Sequence, residues 1–242
     1  MTELYIKSEL PNGIAWNWVK ESFAIFREKP INFLFLSIAF ILFSFFPFIG
    51  SILGVFVLVR IYLTIDKALS GESIGLRLSF GEIIVRRNIL NYALLSMFFD
   101  LFGMLIVEAL ANYWQIDMKN QSMLADKRIV IALGGVSLFR MGFFGISLAI
   151  LSFNPKLQLL KALKLNWKLM LKHWAILLLS CFLLLPFLII PLYLGIIIAF
   201  SSENTAIFAI GFFIMALTIL VFIMVTTAFC YKIYKDGITN VK

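Results

Sequence analysis

The chain has little of what chemistry at an active site usually needs. Among 242 residues it carries one histidine, His173, and two cysteines, Cys181 and Cys230. Both cysteines fall inside apolar runs with no metal-like spacing, so they read as reduced, buried thiols. No HExxH, GxSxG or phosphate-cradling GxxxxGK occurs, and one histidine cannot supply two axial haem ligands. Hydrolytic or transfer chemistry needs a nucleophile with a base, or a metal cluster. The chain is therefore read as a non-enzyme, with no catalytic residue, no metal and no cofactor. Acidic residues are scarce as well, 13 against 21 Lys and Arg. A proton relay through a membrane normally needs more than one acid along its path, and Glu108, near the end of its apolar run, reads as interfacial. The first thirty residues lack a basic n-region leading into an apolar h-region and a cleavage site, so no removed signal peptide is expected.

What fills the chain instead is hydrocarbon. Hydrophobic residues make up 62% and the mean hydropathy is +1.00, against roughly 45–50% apolar usage in soluble domains. They come in blocks of about 20, the length a helix needs to cross about 30 Å of hydrocarbon, and not in the alternation of a β-barrel. The expected class is all-α: a polytopic membrane protein forming one transmembrane domain over residues 1–242. The net charge of +8 fits basic loops facing an anionic leaflet better than it fits nucleic acid.

The pattern predicts an amphipathic interfacial helix over 12–29, with Trp16, Val19, Phe23 and Phe26 at helical spacing, and Pro30 opening the first span. Spans follow at 31–46 and 48–65, turned by Pro47 and Gly50. The first is short, so a re-entrant hairpin stays open as an alternative. Further spans are expected at 89–112, 129–152, 175–200 and 206–231. Between the fourth and fifth, NPKLQLLKALKLNWKLMLKHW sets Lys161, Lys164, Lys168 and Lys172 in one stripe and Leu160, Leu163, Trp167 and Trp174 in another. This predicts a second interfacial helix over 154–173, basic enough to meet anionic lipid.

Six spans and two interfacial helices result. Lys and Arg concentrate in the N-terminal segment, the connector after span two, the lysine helix and the C-terminal tail, which places both termini in the cytoplasm. The loop between spans three and four, with Lys119, Lys127 and Arg128 against Asp117 and Asp126, supports this least. A weak repeat is also visible, an interfacial helix followed by a two-span hairpin, once from Asn12 and again from Asn154. Laying Pro30 on Trp174 puts Pro47 on Pro191.

Three charges fall inside the spans. Arg60, Asp100 and Arg140 each lie about 16–18 Å from the presumed outer boundary at about 1.5 Å per residue. An unpaired charge at that depth costs at least about 2.5–3.5 kcal/mol, which favours pairing Asp100 with Arg140 on adjacent antiparallel helices. Ser96, Asp100 and Gly103 line one face, and Ser137, Arg140 and Ser147 another; these faces are expected to meet. Gly135 and Gly142 make a small-residue stripe suited to close packing, so span four is expected to be central. The cluster admits three readings: a structural pair fixing register, a site for a lipid head group or substrate, or a contact with a partner subunit. Arg60 can also snorkel toward the cytoplasm along the face it shares with Thr64 and Lys67.

PNGIAWNWVKESFAIFREKPINF, the FFPFIG hairpin and SGESIGLRLSF together resemble the opening of a bacterial inner-membrane protein family of unassigned function, known by a locus tag. Its pattern there is a Gly- or Trp-rich interfacial helix, an LFR-x-x-P step, a P-x-x-G turn and a small Gly-bearing connector. Ile25, Phe26 and Arg27 fit the step with Ile in place of Leu. KALKLNWKLMLKHWAILLLS is similar to a later step of the same family, while the acidic loop after span three has no counterpart. The resemblance implies six helices and residence in the bacterial inner membrane. It implies no activity, so no functional residue is carried over from it. The expected role is an accessory or assembly subunit of a larger membrane complex; the alternative is a carrier or binder of an anionic lipid or small amphipathic ligand. The expected partners are membrane lipids, anionic on the cytoplasmic side, and an integral-membrane protein, with no nucleic acid.

Overall fold

A computed structural model describes residues 4–46, 49–72, 80–116, 126–201 and 205–240. Strand β1 (Leu4–Ile6) precedes helices α1 (Ile14–Glu28), α2 (Pro30–Ser44), α3 (Ile49–Leu69), α4 (Gly81–Ile84), α5 (Arg87–Tyr113) and α6 (Lys127–Phe144). Then follow α7 (Ser147–Phe153), α8 (Leu159–Lys172), α9 (Trp174–Leu184), α10 (Pro186–Phe200), α11 (Thr205–Gly237) and strand β2 (Ile238–Asn240). The fold is all-helical apart from one antiparallel ribbon that pairs Leu4 with Asn240 and Ile6 with Ile238.

Among the described residues, four helices are long and apolar enough to cross a membrane: Ile49–Leu69, Arg87–Tyr113, Trp174–Phe200 and Thr205–Gly237. Two of the six expected spans do not reach that standard. The first, α2, has 15 residues, about 22 Å at 1.5 Å per residue. The fourth divides into α6 and α7 at Gly145 and Ile146. At this break the free Ile146 N–H is taken by the Asn166 side-chain oxygen of α8, 2.9 Å away. A buried side-chain acceptor thus replaces the carbonyl that a continuous helix would have offered.

The core gathers where α3, the first half of α5, α7 and the second half of α11 meet. Val57, Ile61 and Ile65, Ala93, Ile150, Met224 and Ala228 are all fully buried there. α3 is buried on nearly every side, as expected of a helix that is apolar all round. The expectation that span four is central holds for its short second piece, α7, which is enclosed. α6 packs chiefly on α5 and α8, and of its described side chains Ile129 and Phe144 are buried while Ile131, Leu133 and Arg140 are exposed. A Cβ added at Gly135 would meet no atom within 4 Å, so that glycine seats no neighbouring helix. The side chains of Ser137 and Gly142 lie outside the described residues, as do Pro47, residues 73–79, residues 117–125 with Asp117 and Lys119, and residues 202–204.

Gly71, at φ 75, closes α3 in a conformation that suits glycine. The Glu72 and Gly71 amides donate back to the Lys67 and Ala68 carbonyls, the double bond of a Schellman cap. Pro186, which lacks an N–H, divides α9 from α10. The expected repeat holds in its order, α1 before the α2–α3 hairpin and α8 before the hairpin of α9–α10 with α11, while Pro47 lies outside the described residues. Pro30 and Trp174 each open a helix, but Pro191 stands inside α10 instead of at a turn. The two amphipathic helices also dock differently: α1 packs on α11 and α9, and α8 on α6 and α7.

The buried face of α1 overlaps the expected stripe in Val19, with Phe23 and Phe26 partly buried against the core, and extends beyond it. Its buried side carries Trp18, Ser22 and Ile25 together with Ile14, Ala15 and Val19, while Trp16 is 49% exposed. The spacing identified a helix with an apolar stripe; the buried face is centred further round, on Trp18, whose indole donates to Asp236 of α11.

Candidate functional site

α5 runs antiparallel to the broken helix α6–α7, and their contacts fix a continuous register. Arg86 donates to the Ser152 carbonyl at 2.8 Å, and the Tyr92 hydroxyl to the Phe144 carbonyl at 3.2 Å. One turn further, Arg140 approaches Ser96 Oγ at 3.4 Å and Asp100 Oδ1 at 3.1 Å. Beyond them, a Cβ on Gly103 would meet the Val136 side chain at 2.7 Å, so only glycine allows this approach.

Asp100 stands at the midpoint of α5. The Arg140 side chain is 50% exposed and that of Asp100 28%, so the pair lies on the flank of the α5–α6 hairpin and is not sealed inside the core. The second half of α5 buries only Gly103, Val107 and Ala111 and leaves Phe102, Met104, Leu105 and Ile106 exposed. Of the five N–H donors of a guanidinium, Nε faces Asp100 and one Nη2 hydrogen faces Ser96. The rest, with no acceptor among the described residues, can donate to a carbonyl, carboxylate or phosphate oxygen of a bound group.

Arg60 does not join this pair. It is half-buried on α3, its carbonyl accepts the Thr64 hydroxyl at 2.7 Å, and among the described residues its guanidinium enters no ion pair or hydrogen bond. The cluster expected from depth alone is thus a pair with a separate third charge. Equal depth on three helices does not bring three side chains together, because each helix also has to turn the right face. Glu108 is exposed on the second half of α5. At the start of α6, Asp126 and Arg128 form an exposed ion pair at 2.8 Å. There the Arg128 guanidinium holds the Asp126 carboxyl below its ordinary range.

The lysine helix α8 is three-sided. Ala162, Asn166 and Leu169 are buried against the protein, with His173 just beyond them. Leu160, Trp167, Leu171 and Trp174 form an outward apolar side, 70%, 40%, 59% and 65% exposed. Lys161, Lys164, Lys168 and Lys172 are exposed on the remaining side. At about 100° per residue the three sides lie roughly a third of a turn apart.

The most heavily tied region has no counterpart in the sequence reading. Asp66 of α3 meets Lys235 at 2.9 Å and the Tyr231 hydroxyl at 2.7 Å. Lys232 pairs with Glu21 at 2.6 Å, and the Trp18 indole donates to Asp236 at 2.8 Å. Asn154 donates to the Tyr234 hydroxyl, Asn88 to the Leu157 carbonyl, and His173 Nε2 meets the Lys7 carbonyl at 3.1 Å. These contacts bind both chain ends, α1, α3, α5, α8 and α11 into one polar end of the molecule. Only the alternation of aromatic and charged residues in YKIYKDG hinted at them.

A second feature not anticipated is the seam of the α10–α11 hairpin. A Cβ at Gly211 would lie 2.4 Å from the Ala199 amide nitrogen and 2.6 Å from the Gly195 carbonyl. The Gly195-x-x-x-Ala199 spacing, a small-xxx-small pattern, was the available signal. Most helix hydroxyls, by contrast, carry no site. Ser22, Thr64, Ser152, Ser180, Thr218 and Thr227 each donate to the carbonyl four residues back, which satisfies them within their own helix. Among the described residues no three His, Cys, Asp or Glu side chains converge as a metal site would require. Neither a protein-family model, nor a curated protein, nor a solved structure matches the chain.

Proposed function

We propose that the chain is a bacterial inner-membrane protein that crosses the bilayer six times and acts by association, as an accessory or assembly subunit of a larger membrane complex. The six crossings are α2, α3, α5, α6–α7, α9–α10 and α11, with α1 and α8 at the cytoplasmic surface and both termini in the cytoplasm. The distribution of Lys and Arg supports that orientation. The β1–β2 ribbon, which holds both chain ends beside the polar end of the molecule, supports only that the two termini share one side.

The observation that carries the reading is the Asp100–Arg140 pair. It sits midway along a long apolar helix with its outer side open. Guanidinium N–H groups without acceptors in hydrocarbon are costly. A partner helix bringing an acceptor oxygen to this flank would satisfy them and cover Phe102, Met104 and Leu105 at the same time. The runner-up, binding of an anionic lipid or small amphipathic ligand, is supported by the same open donors.

A photo-cross-linking residue at Met104, which is 70% exposed on the flank beside Asp100, tests the choice in native membranes. One protein adduct in near-stoichiometric yield, lost on Arg140→Gln and absent when the probe is moved to Phe182, is the expected result. Lipid adducts alone, on a protein that purifies as a monomer, would overturn the subunit reading in favour of the runner-up.

A further inference from the structure

We propose that α8 is a binding site for the head groups of anionic phospholipids, held in the plane of one leaflet. The inference rests on the membrane-crossing reading but not on the existence of a protein partner. From Asn154 to Lys172 the chain has five lysines and no acidic residue. The four on α8 share one exposed side. Beside that side, the exposed strip of Leu160, Trp167, Leu171 and Trp174 is of the kind that enters the boundary between head groups and acyl chains. A nucleic acid or an acidic soluble protein would meet the lysines and leave this strip in water. A leaflet of anionic lipid engages both sides at once, which is why it is chosen as the occupant.

The third side prevents the helix from rolling. Ala162 and Asn166 are fully buried, Asn166 holds the Ile146 amide, and Leu169 packs where a Cβ on Gly237 would stand 2.8 Å away. A free amphipathic helix turns its charges toward the head groups only after it lands; here the fold sets that angle beforehand. The basic band also continues past the helix. Arg86 is anchored on the Ser152 carbonyl, and Asn88 on the Leu157 carbonyl, which places Arg86 and Arg87 beside the loop carrying Lys156. In the short helix α4 and in residues 86–88 and 154–172, Glu82 is the one acid.

The test uses the full chain in nanodiscs of equal parts phosphatidylcholine and phosphatidylglycerol, with native mass spectrometry of the lipids retained on release. Phosphatidylglycerol is expected to be retained well above its share. The fourfold variant with Gln at 161, 164, 168 and 172 is expected to lose roughly tenfold of that preference, and the fourfold Arg variant to keep it. All four side chains are exposed, so folding is checked simply by comparing melting midpoints.

Equal retention of both lipids by the native chain, or undiminished preference in the Gln variant, would overturn the proposal. So would a Gln variant that loses a bound acidic protein and not a lipid. Alkali extraction of the same samples keeps the two readings apart. A chain removed by alkali fails the membrane reading, whereas one that resists alkali yet shows no preference fails the lipid site alone.

Discussion

Ser37 and Arg140 show how unevenly single polar residues weigh in an apolar chain. Ser37 is fully buried on α2, and among the described residues its hydroxyl has no partner, a cost of about 1–3 kcal/mol that most other helix hydroxyls avoid through their own carbonyls. Arg140 is half exposed, yet its register contact with Asp100 constrains the whole α5–α6 hairpin. Reversing either charge alone, Asp100→Arg or Arg140→Asp, places like charges together and is expected to cost roughly 2–3 kcal/mol. The double swap should recover part of that loss. Unfolding by sodium dodecyl sulfate from mixed micelles measures all three. Silent single variants would mean that the pair contributes nothing to the hairpin. The pairing was legible from depth and helical facing, because both helices lie next to each other in the chain. The separation of Arg60 was not, since the azimuth of α3 is set by its packing on α2, α5 and α11.

Helix ends and seams carry the argument at the next scale. α10 and the first half of α11 are exposed almost all round and touch through Gly195, Ala199 and Gly211. Gly211→Val would drive two backbones apart and is expected to cost about 1–3 kcal/mol. Gly135→Val, where a Cβ meets nothing within 4 Å, should change stability by less than about 0.5 kcal/mol. The same micelle titration distinguishes them, and equal effects would remove the seam from the account. Helix existence and type were readable from runs of apolar residues and from Pro30, whereas the cap at Gly71 and the break at Pro186 went unread. The division of span four was not readable, because the acceptor that stabilises it, Asn166, lies twenty residues further on in another helix.

For the molecule as a whole, the polar end decides the topology. Asp66, Lys235, Tyr231, Trp18 and Asp236 join α1, α3 and α11, and β1 pairs with β2 beyond them. Residues 8 and 239 must therefore lie on one side of any membrane the chain crosses. Single cysteines at Ser8 and Thr239, in a background with Cys181→Ser and Cys230→Ser, are expected to react with a membrane-impermeant maleimide only in inside-out vesicles. Labelling of the two positions from opposite faces would contradict the ribbon, and labelling of both only in right-side-out vesicles would reverse the orientation.

Composition and period alone determined that the chain is helical, apolar beyond any soluble domain, and provided with two amphipathic helices, one of them lined by Lys161, Lys164, Lys168 and Lys172. Those are local properties: a helix needs only its own neighbours, and an apolar run declares its solvent by itself. Tertiary structure decided which side of α1 is buried, that α3 and the α7 piece of span four are enclosed, that Asp100 and Arg140 meet without Arg60, and that both chain ends are tied to one polar end. Each of these depends on contacts between residues far apart in sequence, where a helix's rotation about its axis is fixed by its neighbours and leaves no periodic trace.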